Sequence, residues 1–356
     1  MVQRHIQCAT ALKIHFRASS SEACRKYQME LFELLLEHSS RWTQLYLIAH
    51  PDFLPLVRGV DHGFPHLQRM FVDADVTTFI GNISAFTSTA ASVQEISLSV
   101  DSTVVIQVPL SAHLLTHYDI DASWLIHTRI LRVATQLISA RIKLNLPKNR
   151  VPKDAANVPP QVPYIVLPRL NRLSLHTTET HALRFLKTPA LTRLGLCPSS
   201  KWADGIADLV ARSGCTILSL SLFRHCSSID EVAKVLNAHV SIVELNMFNS
   251  NLVKDIQLWS MVSHTVQRIA IVPSEDNPVF DYEAFLNIAE ARGQMQNTVE
   301  TCLILRQAVR RPMGVDLERF QSLARSGSEV VVLEGDDALD AVQDLTGVPR
   351  WPTHSY

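Results

Sequence analysis

Glycine is scarce in this chain, at 11 of 356 residues, and the Gly-rich loops that cradle phosphates or dinucleotides are missing. No Gly-x-Gly-x-x-Gly, Gly-Lys-Ser/Thr loop, Gly-x-Ser-x-Gly elbow or His-Glu-x-x-His occurs. Charge of one sign is also lacking. Thirty-three basic residues against 34 acidic ones give a net charge of −1, without the cationic excess on which nucleic-acid affinity usually rests. Six cysteines are scattered with no Cys-x-x-Cys pair, which argues against a disulfide framework and a zinc ribbon. No apolar run reaches the roughly 18 residues of a membrane span, and Met1-Val-Gln-Arg-His opens without the apolar core of a signal peptide. The expectation is a cytoplasmic or nuclear protein that is not an enzyme and takes no cofactor, no metal, no nucleic acid and no membrane.

What is present is leucine in a pattern. Leu167-Pro168-Arg169-Leu170-Asn171-Arg172-Leu173-Ser174-Leu175 is answered by Pro189-Ala190-Leu191-Thr192-Arg193-Leu194-Gly195-Leu196. Each half spells Leu-x-x-Leu-x-Leu after a proline, and residues 178–188 between them read as a short amphipathic helix. One strand, one helix and a repeat mark a leucine-rich array.

The same template, apolar at its first, fourth and sixth positions, runs along almost the whole chain. It fits at Leu12-Ile14-Phe16, Trp42-Leu45-Leu47, Leu67-Met70-Val72, Val93-Ile96-Leu98 and Leu115-Tyr118-Ile120, and weakly around Ile142 and Leu144. After the central pair come Ile217-Leu220-Leu222, Ile242-Leu245-Met247, Val266-Ile269-Ile271, Val299-Cys302-Ile304 and the run Val330 to Leu333. Helices are predicted over residues 21–38, 123–135 and 281–292, and behind Trp202, Ile206, Leu209 and Val210, with Ser213-Gly214 as the stop. Another follows the capping-box pattern Ser228-Ile229-Asp230-Glu231, and residues 335–345 read as a closing helix.

The fold expected is therefore α/β: a leucine-rich-repeat solenoid over residues 1–346, with about thirteen irregular repeats, a curved parallel sheet inside and helices outside. Residues 147–163 hold five prolines and no apolar period, so they read as a loop inserted in one repeat or a hinge between two half-arrays. Residues 347–356 read as a flexible tail.

Positions three, five and seven of the template leave the core and face the open side of the sheet. They include Tyr46, Arg69, Phe71, His117, Asp119, Arg172, Ser174, His176, Phe223, Glu244, Asn246 and Phe248, and Arg193 joins them from the second half of the central pair. Aromatic and Arg anchors among mixed polar groups suit a protein-contacting face. His113, His117, Asp119 and Asp121 admit a metal reading, against the plainer one of polar side chains on a sheet. Asp73 with Asp75, and Asp336 with Asp337, read as loop and cap residues, and Arg306, Arg310 and Arg311 as a solvated basic cluster. Asn82-Ile83-Ser84 is a sequon without a secretory context.

His38-Ser-Ser-Arg41-Trp42-Thr-Gln-Leu45-Tyr-Leu47, Phe64-Pro65-His-Leu67 and Leu115-Thr-His-Tyr-Asp-Ile120 resemble segments of the fungal F-box/leucine-rich-repeat family. So do the Leu167 to Leu175 motif, Phe185-Leu-Lys-Thr-Pro189-Ala-Leu191-Thr-x-Leu194 and Arg212-Ser-Gly-Cys215-Thr-x-Leu218-x-Leu220, with mushroom-type members the most similar. The resemblance spans about residues 12–248. It implies that the repeats hold a protein destined for ubiquitylation, while an F-box helix near Leu-Pro-x-Glu-Ile docks on a cullin-ligase adaptor. That segment does not occur here, and Leu12-Lys-Ile-His-Phe16 already resembles the strand that follows it. The adaptor is therefore expected as a partner only if an F-box lies upstream of Met1. The alternative is a stand-alone scaffold with no ubiquitin-pathway role.

Overall fold

A computed structural model describes residues 9–18, 22–53, 55–60, 63–74, 89–99, 111–144, 164–176, 180–197, 202–223, 229–248, 266–273, 280–293, 300–305, 312–325 and 330–346. The chain is α/β and divides after Leu170 into two compact units.

The first unit carries β1 (Leu12–Arg17), β2 (Trp42–Ala49), β3 (Arg69–Ala74), β4 (Glu95–Ser99), β5 (His117–Ala122) and β6 (Ser139–Leu144), with helices α1 (Glu22–Leu36) and α2 (Trp124–Leu131). The second carries β7 (Arg172–His176), β8 (Arg193–Leu196), β9 (Ser219–Phe223), β10 (Glu244–Phe248), β11 (Arg268–Val272), β12 (Glu300–Ile304) and β13 (Val330–Leu333). Its helices are α3 (Trp202–Ser213), α4 (Ile229–Ala238), α5 (Tyr282–Gly293), α6 (Val315–Arg325) and α7 (Gly335–Thr346). Within each unit each of these strands pairs in parallel with the next of them. All thirteen expected strands form. Residues 178–188 give a short 3-10 turn, Thr180–Phe185, in place of an α-helix, and α6 was not foreseen.

One backbone contact recurs at the head of the strands. The carbonyl of Gln68 accepts from the N–H groups of Gln94 and Glu95, that of Gln94 from Thr116 and His117, and that of Thr116 from Ile138 and Ser139. In the second unit Asn171 serves Thr192 and Arg193, Thr192 serves Leu218 and Ser219, Leu218 serves Val243 and Glu244, and Val243 serves Gln267 and Arg268. A carbonyl has two lone pairs, so one residue per repeat holds two successive donors of the next. That clamp sets the register, and the leucine positions then align: Leu173 opposes Leu194, Leu194 opposes Leu220, Leu220 opposes Leu245 and Leu245 opposes Ile269. All five are buried.

The residues of the family-like motifs do structural work. Arg212 donates to the carbonyls of Leu183 (2.7 Å) and Leu186 (2.9 Å), and the N–H of Thr188 donates to Ser213 Oγ. Gly214, at φ +66°, supplies the left-handed residue that stops α3. In the first unit, Phe32 of α1 packs on Phe16, Trp42 and Phe53 with ring centroids 4.9–6.3 Å apart.

One strand departs from its expected phase. Val299-Cys302-Ile304 was expected to point Cys302 and Ile304 into the leucine core. The pairing sets Ala270 opposite Cys302 and Ile269 opposite Thr301, so Thr301 and Leu303 face the core. Cys302 and Ile304 face the other way. A period of two gives both faces the same spacing, and here both faces are apolar, so the pattern alone could not set the phase. Residues 147–163 and 347–356, together with Asp75, Asn82, Arg306, Arg310 and Arg311, lie outside the described residues.

A buried polar link joins α2 to the first unit's sheet. The Tyr118 hydroxyl donates to Nδ1 of His127 at 2.6 Å, and Nε2–H donates to the Lys143 carbonyl at 3.1 Å. Of the two neutral tautomers, only the Nε2–H form makes both bonds. Burial holds the imidazole pKa down to about 4, with its backbone hydrogen bonds pulling the other way. A histidine depressed in the fold stabilises it above the ordinary value near 6.5 and loses that contribution as pH falls toward 4. Between pH 7 and pH 5 this group should remove about 2 kcal/mol of stability, read by urea titration at both values. His127→Gln is expected to start less stable and to show a flatter pH dependence over that interval.

Candidate functional site

Register turns the sheet face away from the leucine core into rows. In the first unit one row reads Lys13, Gln44, Arg69, Glu95, His117, Ser139, and the next His15, Tyr46, Phe71, Ser97, Asp119, Arg141. Tyr46 and Phe71 stack at 4.5 Å and 10°, and His15 tilts onto Tyr46 at 5.7 Å. His15 is exposed and the other two rings are half-buried, so the stack presents an edge to solvent. Beside it Arg69 Nε donates to Glu95 at 2.6 Å. Burial pushes the Tyr46 hydroxyl pKa up, aided by the Asp73 carboxylate and opposed by Arg17.

Asp119 is 1% exposed, and its carboxylate is saturated. Arg141 grips both oxygens, with Nε at 2.8 Å from Oδ1, while Ser97 donates to Oδ2 at 3.0 Å and Lys143 Nζ lies 3.4 Å from Oδ1. Burial alone would raise this carboxyl; the two cations and the hydrogen bonds outweigh it and hold it below the usual range. Asp119 is thus spent on its own sheet. His113 is exposed on the 3-10 turn Ala112–Leu114, off the strand that carries His117 and Asp119. Among the described residues no group of three or more His, Cys, Asp and Glu is placed to hold a metal ion.

The second unit's rows differ. The first reads Arg172, Arg193, Ser219, Glu244, Arg268, Glu300; the second Ser174, Gly195, Ser221, Asn246, Ala270, Cys302, Val331. Toward the strand ends lie His176, Cys197, Phe223, Phe248, Val272, Ile304 and Leu333, with Phe223 opposite Phe248, Phe248 opposite Val272 and Ile304 opposite Leu333. Apart from His176 this last set is apolar, and helix α7 covers it.

Gly335, at φ +60°, turns the chain directly after β13, and α7 lies down on the open face. Ala338 and Val342 are buried in one cluster with Cys197, Phe223, Phe248, Ala270, Val272, Cys302 and Ile304, and Ala341 and Leu345 pack against its edge. Trp202, Ile206 and Leu209 of α3 are buried too, but none of them belongs to this cluster. At the far end of α7 the Asp344 carboxylate bridges two arginines, Arg172 Nη2 and Arg193 Nη1, each at 3.0 Å. The Ser174 hydroxyl donates to the Thr346 carbonyl at 3.0 Å, one of the carbonyls a helix leaves without a partner of its own. Two cations at a helix C-terminus also meet the negative end of its dipole. Burial would raise the Asp344 carboxyl; Arg172 and Arg193 prevail and lower it. The side chain stays 52% exposed, so solvent screens the bridge and the latch is weak.

Two further details shape this face. Asn246, fully buried, donates through Nδ2 to Ser219 and Ser221 Oγ at 3.2 Å each. Phe223 leans across β8 to stack on His176 at 4.3 Å, over Gly195. A Cβ at residue 195 would stand 2.6 Å from Phe223 Cε2 and 3.0 Å from Ser174 Oγ, so glycine is what lets the ring cross.

The predicted residues Tyr46, Arg69, Phe71, His117 and Asp119 thus share one face of the first unit. Arg172, Ser174, His176, Arg193, Phe223, Glu244, Asn246 and Phe248 share one face of the second. Ser174, Phe223, Asn246 and Phe248 are buried there, the two rings beneath α7. Sequence reasoning missed Arg141 and Lys143, although the weakly matched sixth strand carries them at open-face positions. It also missed Gly195, Cys302, Ile304 and the covering residues Ala338, Val342 and Asp344; an apolar open-face row beside an amphipathic terminal helix was the available signal.

Asp119→Asn should cost about 3 kcal/mol by leaving Arg141 and Lys143 without a counter-charge, measured as a fall in chemical-denaturation midpoint. Gly195→Ala should cost about 1–3 kcal/mol and displace Phe223 from His176, read as a loss of ring-current shift on the imidazole protons. No family model matches the chain, and no curated protein matches it in sequence.

Proposed function

We propose that the chain is a leucine-rich-repeat solenoid, strands inside and helices outside, that works as a non-catalytic protein-interaction module. It is similar in this reading to the substrate-recognition part of F-box ubiquitin-ligase receptors, and acts in the cytoplasm or nucleus on proteins, with no role for nucleic acid or membrane. The observation that carries it is the in-register open face of the first unit. There an aromatic stack of His15, Tyr46 and Phe71 lies beside the charged pair Arg69–Glu95. Ring edges flanked by ion pairs are what buried anchors of protein interfaces look like before a partner arrives. Among the described residues no helix is long and apolar enough to cross a membrane.

The test is site-specific photo-crosslinking. A benzoylphenylalanine at Phe71 should capture a discrete partner that a probe at Tyr27, 73% exposed on α1, does not capture. Tyr46→Ser with Phe71→Ser should abolish the association while leaving the circular dichroism unchanged. Equal capture from both positions would sink the interaction-face reading. The alternative, a stand-alone scaffold without ubiquitin-pathway coupling, is separated by mixing the full chain with purified cullin-ligase adaptor: a stable complex supports the ligase reading, and none supports the scaffold.

A further inference from the structure

We propose that α7 is a built-in ligand of the second unit's open face, and that the face is made to receive an acidic amphipathic helix of another protein, which displaces it. The inference rests on the reading of the chain as a protein-interaction module and names the partner's chemistry.

The geometry of α7 supplies the template. Ala338, Val342 and Leu345 follow one another at i, i+4 and i+7, so they form one helical stripe, and that stripe meets Phe223, Phe248, Val272 and Ile304. Asp344 flanks the stripe at its C-terminal turn, and Arg172 and Arg193 take one carboxylate oxygen each. Asp336, Asp337 and Asp340 point to solvent. The fitting partner is therefore a helix with small and aliphatic residues on one side and a carboxylate in its last turn, entering with its C-terminal end toward the arginine pair. Helix-in-groove recognition reads such anchors at this spacing.

Two observations separate a ligand from a permanent core element. The contact stripe is thin: of the four apolar side chains that α7 brings to the strip, Ala338 and Val342 are buried and Ala341 and Leu345 are only half-covered. The polar latch is half-exposed, and the floor beneath it is donor-rich. Ser174, Ser219, Ser221 and the two guanidiniums line a small indentation that Leu345 only partly roofs.

The probe is a fluorescein-labelled peptide of residues 335–346, tested by anisotropy against the full chain. Wild type, its face occupied, should bind weakly. Val342→Asp with Asp344→Lys, which evicts α7, should bind the wild-type peptide at least tenfold more tightly. Adding Arg172→Glu and Arg193→Glu should abolish that binding, and a peptide bearing Asp344→Lys should restore it on the reversed background. Hydrogen exchange on the unmodified chain gives a second reading: amides of α7 should open faster than those of β9 to β11. An evicted variant that stays folded and ignores the peptide overturns the proposal. So does an evicted variant that melts, or α7 amides that exchange only with the whole unit, since the helix is then integral to the fold. None of these outcomes touches the Phe71 crosslink, so failure here and failure of the interaction reading are distinguishable.

Discussion

The carbonyl at the head of each strand, accepting two N–H groups from the next repeat, is the constraint on which the rest depends. Loops between strands vary in length, and so do the helices: a 3-10 turn of six residues in one repeat, an α-helix of 12 in another. The clamp does not vary through the central repeats of either unit. It fixes which residue opposes which, and with a side-chain period of two that decides everything about the faces. Leucines meet leucines on one side. On the other, whatever occupies the alternate positions is drawn into rows, and the rows are the surface proposed to meet a partner.

The two units use the same device to different ends. In the first, rows of aromatic and charged groups stay open at the top while Asp119 is neutralised from below by Arg141 and Lys143. In the second, the polar residues of the early strands grade into an apolar strip along Phe223, Phe248, Val272 and Ile304. An apolar strip on a sheet face left to water would be a liability. The chain covers it with α7, which follows the Gly335 turn, and no other described helix contributes to that cluster.

How much of this was legible depended on whether a signal was local. Leu170-Leu173-Leu175 and Leu191-Leu194-Leu196 carry their fold in their own spacing, and the Gly214 stop after α3 is equally self-contained. Arg172, Ser174, Phe223 and Asn246 could be assigned to one face from period two alone. What covers them could not be read, because Asp344 lies more than 150 residues from both arginines it bridges, and no spacing rule connects them. Cys302 and Ile304 failed for a related reason. A template that equates apolar with core misreads a strand whose second face is also buried, and the burial comes from a helix that follows it. Gly195 left no trace either: a glycine in a strand is informative only once Phe223 is seen to pass over it.

The turn at Gly335 has a thermodynamic side. With one residue, Glu334, between β13 and α7, the helix is held within reach of its seat whether or not it is bound. A helix so tethered experiences its own site at an effective concentration in the millimolar range or above. Any free ligand competes against that standing local concentration, so its apparent affinity is the intrinsic one multiplied by the small fraction of time the seat is empty. Tether length, set by a single left-handed residue, thereby becomes the dial that sets how strong a rival must be.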